Sequence, residues 1–447
     1  MNVAFVSNLW PPAVFGGYEI LAQQIAEIFK ARGHDIQVLT SNFLSEDVPG
    51  VTASLELTTD FPRPGEDIGE VDFSLKRQHQ VRRANEATTR RWLEGLSGHF
   101  QNGRPADVVF CWCLNRLSLG PVRAAQALGL PVCQTINDFH PRQFRPTALR
   151  RGLRNLPKQL ARWTLERTVL RGSTLAAAPF PAAFISAALE RGLGAEGVDF
   201  DDGRVVPQGV PLGDFPFRPH PRSAADPLEL VYVGQLSMAK GVHTAIRAMG
   251  VLAVGGHPGG IKLRVIGDGV PSYRRYLERL CVDFGVGDHV EFLGQVEHAE
   301  VAAWHRRSHV LVFPSEWPEP FGLSHLEAMA SGCAVVSTLT GGSAELIEHG
   351  ANALAFQAGN YEHLADQIKT LADDEDLRIK LVQNARRHVA EHYSLEAYAD
   401  RLLDFLGDVR GAARTAPSQT PGAVSPKTGH PTDPLRNTPL EASSQVG

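Results

Sequence analysis

The sequence predicts an α/β protein made of two doubly wound, Rossmann-like domains that face each other across a cleft. The chain is 447 residues long, which is enough for two domains. Short apolar runs alternate with helical patterns in both halves, and this alternation is typical of parallel sheets covered by helices on both faces. A Pro-rich run with few apolar residues, 211–227, separates the halves and indicates a boundary.

We therefore predict a first domain at residues 1–211 and a second domain at residues 212–393. A helical pattern follows with Ser394 as its N-cap, and we expect residues 394–410 to return to the first domain and tie the two together. Residues 411–447 contain six prolines and no aromatic residue. Such a segment buries little apolar surface, so the sequence predicts a disordered tail.

Composition narrows the function classes. Apolar residues make up 43% and charged residues 21% of the chain, as in ordinary soluble proteins, and the net charge of −5 argues against a general nucleic-acid binder. The five cysteines are scattered and complete no zinc-ligand pattern, which indicates reduced thiols and a cytoplasmic protein. The N-terminus lacks the basic region of a signal peptide, and no run of about 18 apolar residues could span a membrane.

One stretch in the second half, FPSEWPEPFGLSHLEAMASG, has the features of a ligand-binding helix start. An apolar strand pattern precedes it, and Pro320 suits the first helical position because that N–H has no intrahelical partner. Phe321, Gly322 and Leu323 would then form the first turn, where free N–H groups and the helix dipole attract anions. Gly322 would let a ligand approach the backbone closely.

Two carboxylates, Glu319 and Glu327, flank this predicted helix start. On one helix they would lie about 12 Å apart along the axis. The carboxylate pairs of glycosidases are about 5–5.5 Å or about 6.5–9.5 Å apart, so the spacing argues against a hydrolytic pair. It favours contact with two ends of one extended ligand that has an anionic middle, and a nucleotide-diphosphate sugar has that form.

The stretch closely resembles the Glu-x7-Glu motif of family 4 retaining glycosyltransferases, in which E-P-F-G is followed by EAMASG and GG-x-x-E, as here. The resemblance implies the GT-B fold, with Glu319 holding the transferred sugar and Glu327 holding the ribose hydroxyls. It implies that residues 320–323 contact the donor diphosphate. It covers roughly residues 1–410 and is strongest in the second domain.

A second segment, GQLSMAKG, resembles the G-R-L-x-x-x-K-G motif of the same family. A diphosphate leaving group gains charge as its bond to the sugar breaks, and Lys240 is a mobile cation able to stabilise it. Gln235 stands where Arg is usual, and the lost charge weakens diphosphate binding unless another group compensates. Gly267, in the turn after a strand, belongs to the predicted donor site. The resemblance implies that Leu293 holds the nucleobase through its backbone, which leaves the base undetermined.

In the first domain, Gly16 and Gly17 precede a helix and suit backbone contact with a phosphate or a sugar. The resemblance implies that they face the donor diphosphate across the cleft.

Asn137 and Asp138 follow a later strand, at the edge where open α/β sheets bind ligands. The family often has His-Asp here, with the His close to the transferred sugar. Asn137 can hydrogen-bond a sugar hydroxyl but cannot carry a proton at neutral pH.

Two other residues relate to the presence of Asn137 where the family often has His. His140, three residues later, is either a substitute for the missing histidine or a surface group. Gln208, in the link between the domains, stands where the family usually has Asn. The resulting catalytic candidates are Glu319, Lys240, Asn137 and Asp138.

Two segments are basic with interleaved apolar residues: Leu75–Phe100 and residues 142–171. A basic amphipathic helix can lie on an anionic membrane surface, here the inner face of the cell membrane, or line the path of an anionic or lipid-linked acceptor. It can equally place its apolar stripe in the core and leave its arginines solvated. The sequence leaves these alternatives open.

Together these features predict a retaining, metal-independent glycosyltransferase that uses a UDP- or GDP-linked sugar, no cofactor, and a glycan, lipid-linked or small-molecule acceptor. No Asp-x-Asp motif follows an apolar strand, so we expect no bridging metal. By the resemblance, the leaving phosphate takes the acceptor proton and no protein nucleophile is needed. One alternative is an epimerase or hydrolase on the same fold, which needs an acid–base set in the cleft. Another is a non-catalytic nucleotide-sugar-binding subunit, which Asn137 and Gln235 favour.

Overall fold

The fold is known from a computed structural model that describes residues 1–14, 16–43, 46–59, 75–144, 164, 175, 179–223, 226–256 and 260–415. Within these residues lie two β-sheets, and every strand pairing between named strands is parallel. Helices cover both sheets, which confirms the predicted α/β fold class. Because the strands of each sheet run in one direction, their carboxyl ends share one edge, and loops at that edge build the candidate site.

Three sequence predictions fall outside the described residues. They are the part of the basic segment beyond Phe144 apart from Thr164, the predicted strand at Leu175–Ala178 apart from its first residue, and the predicted tail beyond Thr415.

The first domain is built on a seven-stranded sheet in the order β3-β2-β1-β4-β5-β6-β7. Its strands are β1 (Asn2–Val6), β2 (Asp35–Ser41), β3 (Val51–Leu55), β4 (Val108–Cys111), β5 (Val132–Ile136), β6 (Ala182–Phe184) and β7 (Gly203–Val205). The sequence analysis missed β3, whose middle residues are exposed and small, and β6, which has only three residues, two of them alanine. The order reverses at β1 and β4, the kind of switch point where such sheets bind ligands.

Four helices flank this sheet in the described part of the domain: α1 (Gly17–Ala31), α2 (Leu75–Gly95), α3 (Gly120–Ala127) and α4 (Ala187–Ala195). Leu21, Ile25 and Phe29 of α1 recur with helical spacing and are buried, which holds α1 against the sheet.

The second domain is built on a six-stranded sheet in the order β10-β9-β8-β11-β12-β13. Its strands are β8 (Leu228–Val233), β9 (Ile261–Ile266), β10 (Val290–Gly294), β11 (Val310–Phe313), β12 (Ala334–Thr338) and β13 (Leu354–Phe356). Its helices are α5 (Val242–Val254), α6 (Pro271–Asp283), α7 (His298–Arg307), α8 (Leu323–Ser331), α9 (Tyr361–Asp373) and α10 (Glu375–His392). The central strand β11 is buried throughout, as its run of four apolar residues predicts.

The chain crosses between the domains twice, and the two crossing segments are hydrogen-bonded to each other. The N–H of Val210 donates to Tyr393 O at 2.9 Å, and the N–H of Leu395 donates to Val210 O at 3.0 Å. A Cβ at Gly209 would lie 2.2 Å from Ser394 O, so only glycine allows this close backbone approach.

The last helix, α11 (Leu395–Thr415), packs on the first domain and extends five residues beyond the predicted limit at 410. Tyr398, Leu402 and Phe405 are buried in the same apolar cluster as Phe5 and Trp112 of the first domain. The first domain is therefore assembled from two separate parts of the chain.

Candidate functional site

An ion pair lies at the carboxyl edge of the second sheet. Lys240 Nζ donates to both carboxylate oxygens of Glu319 at 2.8 Å. Glu319 is only 5% exposed, whereas the Lys240 side chain is 27% exposed. Ser315 Oγ also donates to Glu319 Oε1. The structure thus brings together the two charged residues predicted from separate motifs and leaves the cation as the more accessible partner.

The backbone of Glu319 is held by the Gly341-Gly342 loop. Glu319 and Gly341 form an isolated parallel bridge, and the N–H of Gly342 donates to Glu319 O at 2.7 Å. A Cβ at Gly341 would lie 2.3 Å from Glu319 O, and one at Gly342 would lie 2.4 Å from Pro320 O. Glycine is required at both positions because the two backbones touch.

The predicted helix start is wrong by three residues. Helix α8 begins at Leu323, not at Pro320, and Gly322 precedes it with φ 134°, ψ 61°. This positive φ lets the chain turn from the Glu319 segment into the helix, and it is a conformation that favours glycine. The N–H groups that an anion could meet at the helix start therefore belong to Leu323 and Ser324, because the N–H of His325 donates to Gly322 O at 3.0 Å. Pro320 and Phe321 lie in the preceding loop.

Glu319 and Glu327 consequently do not share one helix, and the axial spacing inferred from the sequence does not apply to them. Glu327 lies on α8 and its side chain is 13% exposed. Its Oε2 is 3.8 Å from Nε2 of His305, a fully buried residue of α7. Glu319 instead lies beside the first domain, because the carbonyl of the next residue, Pro320, accepts a hydrogen bond from Ser186 Oγ at 2.6 Å.

The other predicted donor-site residues lie along the same sheet edge. Gln235 is exposed and follows β8, and its carbonyl accepts a hydrogen bond from Tyr232 at 2.8 Å. A Cβ at Gly267 would lie 1.9 Å from Gly234 O, so the turns after β8 and β9 touch through their backbones. The register between β10 and β9 shifts between Phe292 and Gly294, so Leu293 lies at a bulge. A bulge re-aims backbone groups out of the ladder, as contact with a base would need.

Asn137, at the carboxyl edge of the first sheet, is buried and fully engaged. Its Oδ1 accepts hydrogen bonds from Gln208 Nε2 at 3.1 Å and Thr135 Oγ1 at 3.2 Å, and its Nδ2 donates to Trp112 O at 3.4 Å. The two departures noted in the sequence, Asn137 and Gln208, therefore contact each other. The arrangement gives the Asn137 side chain a structural role and does not aim it at a ligand.

Asp138 is the more accessible residue of this pair, with 34% of its side chain exposed. Its Oδ1 accepts hydrogen bonds from the N–H and the Nδ1 of His140, both at 2.6 Å. Burial raises the pKa of the Asp138 carboxyl, but the charge of His140 and its hydrogen bonds outweigh burial and lower that pKa below its usual value. Asp138 is thus an ionised hydrogen-bond acceptor at neutral pH. The His140 side chain is 5% exposed and faces Asp138 and Gln134, which makes it a partner of Asp138, not a surface group.

The glycine loop begins α1 at the same edge. Gly16 and Gly17 are exposed, and a Cβ at either would meet nothing within 4 Å. The N–H of Gly16 donates to Glu19 Oε2 at 2.9 Å, so Glu19 caps its own helix and is buried. Glu19 is thus a first-turn acid that belongs to the helix start itself.

Tyr18 is a site residue that the sequence analysis missed. Its hydroxyl donates to Asn137 O at 2.8 Å. Burial, and then the nearby charges that include Asp138 and Glu319, raise the pKa of Tyr18. The hydroxyl therefore stays protonated and lies near carboxylates of both domains. Its position directly after Gly16-Gly17 is the signal that could have identified it.

The basic helix α2 is partly neutralised by its own acids. Arg82 pairs with Glu86 at 2.5 Å and Arg90 pairs with Glu94 at 3.0 Å, both one helical turn apart.

Among the described residues, no helix is long and apolar enough to cross a membrane. In the same part of the chain, no cluster of three or more His, Cys, Asp or Glu side chains has a metal-binding arrangement. All five cysteines are free thiols, and four of them are buried.

Two family models match the chain in succession. Residues 16–209 match a model described as a glycosyl transferase 4-like domain, and residues 216–388 match a model described as glycosyl transferases group 1. The two matches meet at the first crossing between the domains.

Each of three curated relatives matches less than half of the chain. An uncharacterized glycosyltransferase of Methanocaldococcus jannaschii is 35% identical over 175 residues, 39% of this chain and 43% of that protein. A glycogen synthase of Mycobacterium tuberculosis is 29% identical over 214 residues, 48% of this chain and 50% of that protein. A D-inositol 3-phosphate glycosyltransferase of Pseudarthrobacter chlorophenolicus is 32% identical over 191 residues, 41% of this chain and 45% of that protein. The chain spans about half the length of the curated relatives it matches.

Solved structures match over nearly the whole chain. A sucrose-phosphate synthase from Thermosynechococcus elongatus has a TM-score of 0.65 at 21% identity, covering 92% of this chain and 99% of that one. Anabaena HepE in complex with UDP-glucose has a TM-score of 0.63 at 18% identity, covering 91% of this chain and 100% of that one. At these identities the likeness shows the fold, which is GT-B.

Proposed function

Because this chain belongs to the group 1, family 4-type glycosyltransferases, as a 4-like domain model and a group 1 model that together match most of its length show, we propose that it transfers a sugar from a nucleotide-diphosphate donor to a hydroxyl acceptor. We propose further that the transfer retains the configuration of the anomeric carbon and needs no metal ion or cofactor. The acceptor class we infer is a glycan or a lipid-linked or small-molecule hydroxyl compound.

The observation that supports this proposal most is the Lys240–Glu319 pair beside the start of α8. An ammonium group has three donors, and the two bonds to Glu319 leave one for a phosphate oxygen. A diphosphate at this position would also meet the N–H groups at the start of α8. The more buried carboxylate would then hydrogen-bond hydroxyls of the attached sugar.

In the reaction we propose, the bond between the anomeric carbon and the diphosphate oxygen breaks while the acceptor oxygen attacks the same face. The acceptor proton passes to the departing phosphate oxygen, so no base or nucleophile of the protein is consumed. Lys240 stabilises the charge that grows on the diphosphate. Glu319 orients the sugar, and the ionised Asp138 accepts a hydrogen bond from a hydroxyl group across the cleft.

A uridine or guanosine diphosphate is the donor nucleotide we favour. Anabaena HepE, which shares the fold, was solved with UDP and with UDP-glucose. A base held through the bulged backbone at Leu293 is compatible with either nucleotide because no side chain is required to read it.

Four measurements on the full chain test this function. Isothermal calorimetry with UDP, GDP and ADP should show saturable binding of at least one nucleotide. Mass spectrometry of products from a panel of UDP- and GDP-sugars with a cell-envelope extract should detect a sugar added to an acceptor. NMR of the product should show the donor's anomeric configuration, and activity should persist in EDTA. Inversion or loss of activity in EDTA would overturn those parts of the proposal.

A non-catalytic nucleotide-sugar-binding subunit is the second candidate, because Asn137 is sequestered in a buried network and Gln235 brings no charge to the diphosphate. Nucleotide binding without turnover of any donor in the same panel would favour it.

We also propose peripheral membrane contact through the basic segments, with α2 as the described part. Binding of the protein to anionic liposomes should weaken when several arginines of α2 are changed to glutamate. Unchanged binding would dismiss this contact.

A further inference from the structure

The start of helix α4 has a partner for each of its first N–H groups, and two of these groups donate to one carboxylate of the other domain. The first four N–H groups of a helix have no intrahelical acceptor. Ser186, the N-cap, accepts from Leu189 N at 3.0 Å, and its carbonyl accepts from Glu190 N at 3.2 Å. The N–H groups of Ala187 and Ala188 donate to the carboxylate of Glu345, at 3.1 Å and 2.7 Å.

Glu345 reaches across the interdomain gap to make these bonds. It lies in the loop after β12 of the second domain, 157 residues from Ala188 along the chain. A carboxylate at a helix N-terminus forms charge-assisted hydrogen bonds and interacts favourably with the helix dipole. Glu345 is therefore the cap of a helix that belongs to the opposite domain.

The same loop also holds the backbone of Glu319. It contains Gly341 and Gly342, which pack directly on Glu319 O and Pro320 O. Pro320 O in turn accepts the hydrogen bond from Ser186 Oγ. One short loop thus contacts both the carboxylate segment of the second domain and the start of α4 in the first.

A second interdomain contact lies on the other side of Glu319. The ring of Trp317 meets the ring of Phe139 edge-on, with 6.4 Å between centroids. Phe139 directly follows Asp138, and Trp317 lies two residues before Glu319. The ring contact therefore holds the segments that carry these two predicted site carboxylates next to each other. The Glu319 segment is therefore fixed against the first domain at both of its ends.

We propose that Glu345 is a positioning residue that docks α4 onto the loop carrying Glu319 and so sets the distance between the acceptor-side domain and the donor sugar. This inference rests on the proposed function for its effect on turnover. The docking itself is independent of that function and can be measured without any activity.

The first test is amide hydrogen exchange on the full chain. The Ala187 and Ala188 amides, at positions normally unprotected in a helix, should be protected in the wild-type protein and exchange about tenfold faster in Glu345→Ala. Glu345→Gln, which keeps one acceptor oxygen, should lie between the two. Glu348→Ala removes an exposed carboxylate of the same segment and should leave both amides protected. Equal exchange in Glu345→Ala and wild type would overturn the docking.

The second test measures closure and its use in the reaction. Small-angle scattering should show a larger radius of gyration for Glu345→Ala than for Glu348→Ala, both alone and with UDP or GDP. Nucleotide affinity by calorimetry should stay within about twofold, because all predicted donor-site residues except Gly16 and Gly17 lie in the second domain, while kcat/KM for transfer should fall about tenfold. Faster exchange with unchanged scattering or unchanged turnover would reduce Glu345 to a local cap. Absence of transfer in the wild type would remove the proposed function and leave the exchange and scattering results to decide the docking.

Discussion

The two edges that face each other across the cleft are built by different physics. The second-domain edge uses charge: Lys240 and Glu319 form an ion pair, and Glu345 extends a carboxylate to the first domain. The first-domain edge uses neutral, buried hydrogen bonds that connect Tyr18, Asn137 and Gln208. Asp138 is the exception, with its partly exposed carboxylate.

The difference indicates a division of labour. A donor diphosphate is the same for many sugars and needs a fixed set of charges, which the second domain supplies from linear motifs. At the first-domain edge, Tyr18 and Asn137 form hydrogen bonds with each other, and Asn137 also bonds to Gln208 in the interdomain link. The role of these polar groups is therefore to hold the backbone of that edge in place. Substitutions on the charged edge should therefore change turnover, while substitutions in the neutral network should change stability.

The largest effect should come from Glu319→Ala. It removes the carboxylate that orients the sugar and leaves Lys240 without its partner, and we expect kcat to fall about 10³-fold, about 4 kcal/mol. Steady-state kinetics with the donor identified by the panel measures this. Glu319→Gln keeps the shape and should recover part of the loss, and Glu362→Ala on exposed α9 surface is the matched control. Near-normal turnover of a folded Glu319→Ala protein would refute its role.

A smaller effect concerns His325, which is fully buried under the Gly322 turn and bonded to Ser337 Oγ at 2.7 Å. Burial, which outweighs a backbone hydrogen bond at Gly322, lowers the pKa of His325 to about 4 from 6.5. As the pH falls, the unfolded chain therefore takes up a proton at His325 before the folded protein does. The stability that the neutral His325 contributes is present above about pH 6.5 and is lost as the pH falls towards 4.

We expect this loss to amount to about 3 kcal/mol. Urea unfolding of wild type and His325→Gln at pH 7 and pH 4 measures it, and the variant should lose less stability over that interval. The second domain also contains His309, whose pKa burial lowers to about 3, and this residue is common to both proteins and cancels in the comparison. Equal losses of stability in wild type and His325→Gln would show that protonation of His325 does not cause the loss.

Asn137→His tests the neutral network. The larger ring would enter a site that is 4% exposed and would displace the Gln208 amide, so we expect a loss of about 2 kcal/mol in unfolding free energy. Adding Gln208→Asn restores room and should recover most of it, because Asn is the residue that the family resemblance associates with His. Chemical denaturation of the single and double variants decides this. If the two substitutions changed the unfolding free energy additively, Asn137 and Gln208 would not be energetically coupled.

The smallest effect should come from Glu327→Ala. If this carboxylate holds the ribose, its loss should raise the KM for the donor about tenfold with little change in kcat. The matched control is Glu300→Ala, an exposed acid in the first turn of α7, the helix that carries His305. An unchanged donor KM would remove Glu327 from the donor site.

The sequence predicted the second domain better than the first, and the reason is the distance over which contacts are made. Lys240 and Glu319 stand in local motifs that identify them without knowledge of the fold. The start of α8 was misplaced because Pro320 fits a first helical position, yet the Glu319 segment pairs with Gly341, and the chain turns only at Gly322. That pairing joins two loops that are separate in the sequence and leaves no local pattern.

Contacts made by residues of the first domain, within it and with the second domain, are longer in range still. Asn137 meets Gln208 71 residues away, and Glu345 meets Ala187 158 residues away. Each residue could be noted in the sequence as unusual or as part of a loop, but its partner could not be read from spacing. Strands β3 and β6 were missed for a local reason, since the middle residues of β3 are small and exposed and β6 has only three residues, two of them alanine.

The return of α11 to the first domain has a practical consequence for domain exchange. Because Tyr398 and Phe405 complete the apolar core around Phe5 and Trp112, a chimera that keeps only the first 211 residues of this chain would expose that core to water. A transplant of acceptor specificity into a relative must therefore take residues 395–415 along with it, joined where Val210 and Ser394 meet.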